Sequence, residues 1–326
     1  MLRLPEFTYV APRSLHEAVR LLSDSGPDGA LMAGGTDLLP HMKRRQRTPR
    51  VIIGLRHLAE LRGLRGAREA GVAIGAASTL AEVARHPEII AGYPALAQAI
   101  GQIATPAIRQ MGTVGGNLLI ETRCACYDLP AHTREALGHC LKDGGPICLV
   151  APRSPRCWAI ASSDTAPILI ALGARTRLVA AGGERVVPLA ELYRDDGLRP
   201  LSMRPGEILT EILLPPSGAR AAYRKVRRRG AIDFPMLGVA VAMRYAPDGV
   251  VADARIVLGA IASAPVTAHA AADALTGRTL DPPTVAAAAE AAAKVARPLE
   301  NADLAAAWRK HMVRVTVERA LRDLAV

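Results

Sequence analysis

Apolar and polar positions fall in short blocks whose period changes repeatedly along the chain. After an extended start from residue 2, HEAVRLLSD at 16–24 has apolar residues at helical spacing, and Ser14 with Glu17 has capping-box spacing. The unbroken apolar block at 30–33 is strand-like and runs into Gly34-Gly35-Thr36-Asp37. LLPHMKRRQRTPR is partly helical and strongly basic, and VIIGL at 51–55 reads as a second strand. This β-turn-helix-β order predicts an α/β unit. AELRGLRG reads as a short helix or turn, and GVAIGAAST at 71–79 as a strand. Thr79 caps a helix that Pro87 closes, and an apolar helix over 94–110 breaks at Thr105-Pro106.

The second half changes character. ILIALGARTRLVAAGGERVVPLAELY alternates in part, with a hairpin turn at Gly182-Gly183. Residues 198–206 read as a loop and ILTEILLP as another strand. Pro215-Pro216-Ser217-Gly218 is the best boundary in the chain. Beyond it, 221–266 predicts a small antiparallel sheet with a turn at Pro247-Asp248-Gly249. Three Ala-rich helical segments follow, the last over 304–325. The pattern gives an α+β protein: two α/β subdomains at about 1–57 and 58–217, then a C-terminal α+β domain at 218–326.

Composition narrows the class. Half of the 326 residues are apolar, enough for a real core, and at 3% aromatic content Ala, Val, Leu and Ile must fill it. The net charge of +11 suits a partner or ligand of negative charge. The basic run Lys43, Arg44, Arg45, Arg47, Arg50 and the run Arg224, Lys225, Arg227, Arg228, Arg229 lack the interleaved aromatics of a nucleic-acid surface, so no nucleic acid is expected. No secretory signal and no apolar run of about 20 residues is present, which predicts a cytoplasmic, reducing location without a membrane span.

The chemistry concentrates in 112–172. All five cysteines, Cys124, Cys126, Cys140, Cys148 and Cys157, lie there. In a reducing compartment, clustered thiols favour metal over disulfides. Taking Cys124, Cys140, Cys148 and Cys157 as ligands gives gaps of 16, 8 and 9 residues, a loop able to wrap a 4Fe–4S cube. Soft thiolates also suit zinc, and spacing alone does not separate the two, although the paired C-x-x-C knuckles of zinc ribbons are missing. His132 and His139 lie nearby; they are candidate ligands but read first as residues behind the ligands or at the surface. Two glycine turns, Gly34–Asp37 and Thr113–Asn117, each beside an apolar segment, suit a pyrophosphate cradled from both sides by backbone N–H groups. Neither is G-x-G-x-x-G or a Walker A loop, so this is a dinucleotide site outside the Rossmann and P-loop classes.

Several stretches together resemble one family. These are FTYVAPRSLHEAVRLL, AGGTDLLPHMK, GVAIGAAST, ATPAIRQMGTVGGNLL, SSDTAPILIALGA and YRKVRRRGAIDFPMLGVAVAM. They resemble the FAD-binding medium subunit of the xanthine dehydrogenase and carbon monoxide dehydrogenase family of molybdenum hydroxylases, across nearly the whole chain. The resemblance implies an FAD-binding domain over 1–217 and a C-terminal flavoprotein domain over 218–326. It places the FAD pyrophosphate between Ala33, Gly34, Gly35, Thr36, Asp37 and Thr113, Gly115, Gly116, Asn117. It sets Asp164 near the ribityl chain and the segment from Arg229 to Met236 along the isoalloxazine. The cysteine-bearing insertion at about 122–158 resembles the 4-hydroxybenzoyl-CoA reductase branch, which implies a 4Fe–4S cluster on Cys124, Cys140, Cys148 and Cys157, with Cys126 spare. That branch implies a heterohexamer with a large molybdopterin subunit and a small 2Fe–2S subunit, fed by ferredoxin. Two other readings are a flavin subunit for an N-heterocycle or another aromatic acyl-CoA, and a flavin-free zinc scaffold.

Overall fold

The computed structural model describes residues 3–325; the expected start at residue 2 lies outside them. Among the described residues twelve strands form three sheets. The first is parallel, with β1 (Thr8–Val10), β2 (Gly29–Met32) and β3 (Val51–Gly54) in the order β1-β3-β2. Parallel neighbours need crossovers, and the helices Leu15–Ser25 and Leu38–Lys43 supply them. Ser14 Oγ accepts from Glu17 N at 3.1 Å, so the first helix starts where the capping pattern puts it.

The second sheet is antiparallel, with β4 (Leu64–Ala67), β5 (Gly71–Gly75), β6 (Arg175–Ala180), β7 (Gly183–Pro188) and β8 (Ile208–Leu214). Its order is β4-β5-β8-β6-β7. Two sequence expectations change here. The helix or turn over 59–66 is a 3-10 turn, Ala59–Leu61, followed by the edge strand β4, whose largely exposed residues leave no apolar alternation to read. The partly alternating ILIAL stretch belongs to the helix Thr165–Ala171, buried at all seven positions; an element buried all round carries no period. Pro87 ends one helix and occupies the first turn of the next, Pro87–Gly92, where its missing N–H costs nothing. Thr79 forms a full capping box with Glu82.

The third sheet holds β9 (Arg220–Val226), β10 (Leu237–Tyr245), β11 (Val251–Gly259) and β12 (Val266–Thr267), antiparallel in the order β12-β11-β10-β9. Leu237, Val239, Val241 and Met243 of β10 pack in one core with the helices His269–Asp273, Pro282–Val295 and Ala306–Arg322. Ala240 and Ala242, on the other face, join the core that contains the helix Thr165–Ala171. That face is kept small. A Cβ added at Gly259 would lie 2.7 Å from Pro167 Cγ, and one at Gly238 2.9 Å from the Tyr223 hydroxyl. The third sheet therefore presses its small-residue face on the buried helix that follows Asp164. Among the described residues no helix is long and apolar enough to cross a membrane.

Ala240 is fully buried at this contact. Ala240→Leu is expected to overpack it and lower stability by about 1–3 kcal/mol. Urea unfolding of the purified protein checks this; an unchanged midpoint would mean that the contact has slack.

Candidate functional site

A cavity of about 610 Å³ is lined by the turn after β2, the turn after β5, the start of β8 and the 232–234 loop between β9 and β10. Ala33, Gly34, Gly35, Thr36, Asp37, Thr113, Gly115, Gly116, Asn117 and Asp164 all line it. Arg229 does not. It is largely exposed and ion-paired at 2.7 Å with Asp233, which does line the cavity.

The glycines set how closely the two turns approach. A Cβ at Gly34 would lie 1.9 Å from Met111 O, so the first turn rests backbone to backbone on the segment leading into the second. Gly35 takes a φ of +71°, which favours glycine. A Cβ at Gly115 would meet Ala76 O at 2.7 Å.

The two turns differ in their donors. Among the described residues the N–H groups of Gly34, Gly35, Thr36 and Asp37 donate to no protein acceptor. In the second turn Val114 N donates to Ser78 O, Gly115 N to Ala76 O, Asn117 N to Thr113 O and Gly116 N to Thr113 Oγ1. The expected pair of N–H cradles is therefore one cradle and one internally bonded turn that supplies shape.

Side chains complete the wall. Asn117 Oδ1 accepts from Ser163 Oγ at 2.9 Å and Thr165 Oγ1 at 2.6 Å, which fixes the turn carrying Asp164. Asp164 takes the Tyr223 hydroxyl at 2.8 Å and Lys225 Nζ at 2.9 Å. Burial pushes the Asp164 carboxyl up and the Lys225 ammonium down, while each pulls the other back toward charge. Ser162 Oγ, buried on the cavity wall, has no protein partner among the described residues, as expected of a group that a ligand satisfies. At Asp37 burial raises the carboxyl pKa, but His41, the Glu121 N–H and Arg123 outweigh it and hold the group below the usual carboxylate range.

All five cysteines line a second, small cavity of about 10 Å³ with Tyr127, Leu141, Lys142, Leu149 and Val150. Cys124, Cys140, Cys148 and Cys157 are buried, Cys126 is half-buried, and none is in a disulfide. They arrive from separate turns. Cys140 O accepts from Asp143 N and Gly145 N, closing a tight loop, while Ile160 pairs with Arg123 and brings the chain after Cys157 beside Cys124. Burial pushes the Cys124 thiol up to about 12 and raises Cys126 and Cys157 as well. Burial at these three therefore disfavours the thiolate form. Among the described residues no three Cys, His, Asp or Glu side chains close on a single metal-ion position. His139 is turned to Asp143 at 2.6 Å, and neither it nor His132 lines the cysteine cavity.

The two cavities are neighbours along the chain, and no described residue lines both. Asp37 Oδ2 accepts Glu121 N at 3.2 Å, and Glu121 and Arg123 line the large cavity while Cys124 lines the small one. The Arg123 guanidinium lies 4.0 Å from the centre of the Phe234 ring, which also lines the large cavity. His41 contacts Gln46 at 2.7 Å, and Gln46 donates to Tyr127 O at 2.7 Å, giving a second link. Ser162 and Arg123 were not singled out as site residues by sequence, whereas Phe234 falls in the 229–236 segment and Lys225 in the second basic run, neither named there individually for the site.

Comparison with known proteins places this geometry. Residues 5–217 match the family described as the FAD binding domain in molybdopterin dehydrogenase. Residues 221–324 match the CO dehydrogenase flavoprotein C-terminal domain. The chain is 31% identical to the carbon monoxide dehydrogenase medium chain of Hydrogenophaga pseudoflava, over 97% of this chain and 96% of that one. It is 29% identical to the 6-hydroxypseudooxynicotine dehydrogenase complex subunit alpha of Paenarthrobacter nicotinovorans, over 97% and 94%. The crystal structure of the cyanide-inactivated Cu,Mo-CO dehydrogenase contains a chain that superposes with a TM-score of 0.81 at 29% identity, covering 98% of each chain.

Gly34→Ala is expected to push the two turns apart and weaken flavin retention about ten-fold, equivalent to about 1.4 kcal/mol. Flavin released per chain, with far-UV circular dichroism to show that the fold persists, measures it. Full flavin occupancy would mean that the close approach is dispensable.

Proposed function

The chain belongs to the FAD-binding medium subunits of the xanthine dehydrogenase and carbon monoxide dehydrogenase family, and from that premise we propose that it is the electron-transfer subunit of a molybdenum-dependent 4-hydroxybenzoyl-CoA reductase. In this reading it divides at about residue 217, carries FAD and a 4Fe–4S cluster, and works with a large molybdopterin subunit and a small 2Fe–2S subunit that hold the substrate chemistry. The observation that carries it is the convergence of all five cysteines on one cavity that begins, at Cys124, one residue after Arg123 on the wall of the flavin cavity. A flavin subunit serving an N-heterocycle or another aromatic acyl-CoA fits the flavin cavity equally well, since the substrate pocket lies in a partner. The family membership leaves the flavin-free zinc scaffold without support.

The cavity residues suit FAD, and the cysteines suit a cluster by donor type. For FAD, the unpaired N–H groups of Gly34 to Asp37 suit a diphosphate, and Ser162 Oγ offers a free hydroxyl. The low pKa of Asp37 keeps it an acceptor for a sugar hydroxyl at neutral pH. For the cluster, Cys124, Cys140, Cys148 and Cys157 supply four buried soft donors. The space between the cysteines, about 10 Å³, is smaller than an iron–sulfur cube, so loading requires the thiols to part. When bound, the flavin would supply exchange between one- and two-electron steps and the cluster one-electron transfer. Lys142 Nζ donates to Glu121, Thr122 and Gly197 O behind the cysteines, and its charge favours the Cys157 thiolate.

The basic runs now separate. Arg224, Lys225, Arg228 and Arg229 each face a carboxylate, so that run is largely neutralised within the chain. Lys43, Arg45 and Arg47 are exposed, and the loop that carries them is tied to the cysteine insertion by Gln46–Tyr127 and by Arg134 donating to Arg44 O. This patch beside the cysteine cavity supports docking of an acidic carrier such as ferredoxin.

Cys140→Ser is expected to remove about four irons per chain while FAD stays bound. Metal analysis and flavin release on protein purified without oxygen test this, and unchanged iron content would remove the ligand assignment. Arg45→Glu should slow electron delivery from ferredoxin, and by more at low than at high salt. A rate indifferent to salt would move the docking face elsewhere.

A further inference from the structure

Arg309, on the helix Ala306–Arg322, is fully buried, yet no carboxylate pairs with it among the described residues. Its guanidinium donates to Ala260 O at 2.8 Å, Leu299 O at 3.0 Å, Met236 O at 3.2 Å and Asn301 Oδ1 at 3.3 Å. A buried cation that meets neutral acceptors alone is costly. Burial pushes the pKa of Arg309 down and Glu300 pulls it up, but Glu300 is exposed, with its carboxylate on Ala306 N.

Asn301, itself buried, reaches the cysteine insertion at two places. Its Nδ2 donates to Trp158 O at 2.6 Å, next to Cys157. Its backbone O accepts Ala125 N at 3.0 Å, between Cys124 and Cys126. Ser263 Oγ, from the segment after β11, donates to Cys157 O at 3.3 Å, and Ala262 O accepts Ala161 N at 3.0 Å. Thus the C-terminal domain holds the two ends of the cysteine insertion against each other. The junction is one asparagine, whose amide is oriented by an unpaired buried cation.

We propose that Asn301 is a positioning residue for the metal centre: it fixes the Cys124–Cys126 turn relative to Cys157 and orients a peptide network polarised by Arg309 toward the anionic thiolate set. The inference rests on the cluster reading above. Four thiolates around an iron–sulfur core give a net negative charge that rises by one on reduction, so a nearby positive field favours the reduced state. Loss of the Asn301 amide should therefore loosen the site and shift its potential negative.

The test uses the complete enzyme, assembled with its partner subunits and purified without oxygen. Iron in the parent and in Cys140→Ser is measured first. If the two are equal, the chain holds no such cluster, and both the functional reading and this inference fall. With the cluster present, Asn301→Ala is expected to keep FAD, to release iron to a chelator at least about five-fold faster, equivalent to about 1 kcal/mol, and to show a more negative midpoint potential with an altered paramagnetic resonance signal for this cluster. Unchanged release and unchanged potential would overturn the proposal. A lower thermal midpoint with the parent's potential and spectrum would also overturn it, since it would make Asn301 part of the general packing only. If Asn301→Ala does not assemble, Asn301→Asp, which removes the Nδ2 donor to Trp158 O, decides by the same two readouts, with faster iron release supporting the proposal and parental behaviour refuting it.

Discussion

The backbone contact between Gly34 and Met111 is the constraint on which the site depends. No side chain fits between the two turns, because a Cβ on Gly34 would fall 1.9 Å from a carbonyl oxygen. The contact brings the parallel sheet, through the turn after β2, against the segment 111–117, which Leu80 N anchors to Gly112 O and Gly115 N to Ala76 O. With the turns in register, the Gly34–Asp37 N–H groups face an open cavity instead of protein acceptors. Unpaired backbone donors persist in a folded protein where solvent or a ligand takes them, so the same contact that makes the fold also creates the binding face.

The charge distribution follows a second rule. Buried charges here are ion-paired or hydrogen-bonded. Lys225 meets Asp164, and Arg134 meets Asp143. The excess positive charge of +11 is left largely to exposed side chains such as Lys43, Arg45 and Arg47. Long-range attraction to an acidic partner needs exposed charge, whereas flavin and cysteine chemistry need fixed charge in a dry site. One basic run is exposed and the other is ion-paired within the chain, although the two look alike in sequence.

The cysteine insertion is held from three directions. Glu121 N on Asp37 ties it to the flavin turn, Gln46 and Arg134 tie it to the basic loop, and Asn301 with Ser263 tie it to the C-terminal domain. Its own apolar cluster is small, with Cys124, Tyr127, Cys140, Cys157 and Ala159 at its centre. So little buried apolar area cannot order a loop of this length by itself. Attachment to the surrounding domains, and in the proposed reading the metal, make up the difference.

By itself the sequence determined what local chemistry determines. Ser14, Thr79 and Thr105 start their helices, although the helix before Thr105 already ends at Gly101, and the turns at Gly182 and Pro247-Asp248-Gly249 separate paired strands. The glycine turns and the cysteine cluster were legible because residue type limits what such positions can do. Strand β4 and the helix Thr165–Ala171 were not, since one is an exposed edge and the other is buried all round, and neither leaves a period. Only the tertiary structure decided that one glycine turn offers donors and the other shape, that Lys225 rather than Arg229 meets the cavity wall through Asp164, and that Asn301 reaches back to Ala125 and Trp158. Those outcomes depend on which distant groups compete for each donor, and that competition is settled by packing across the chain, where local propensity has no say.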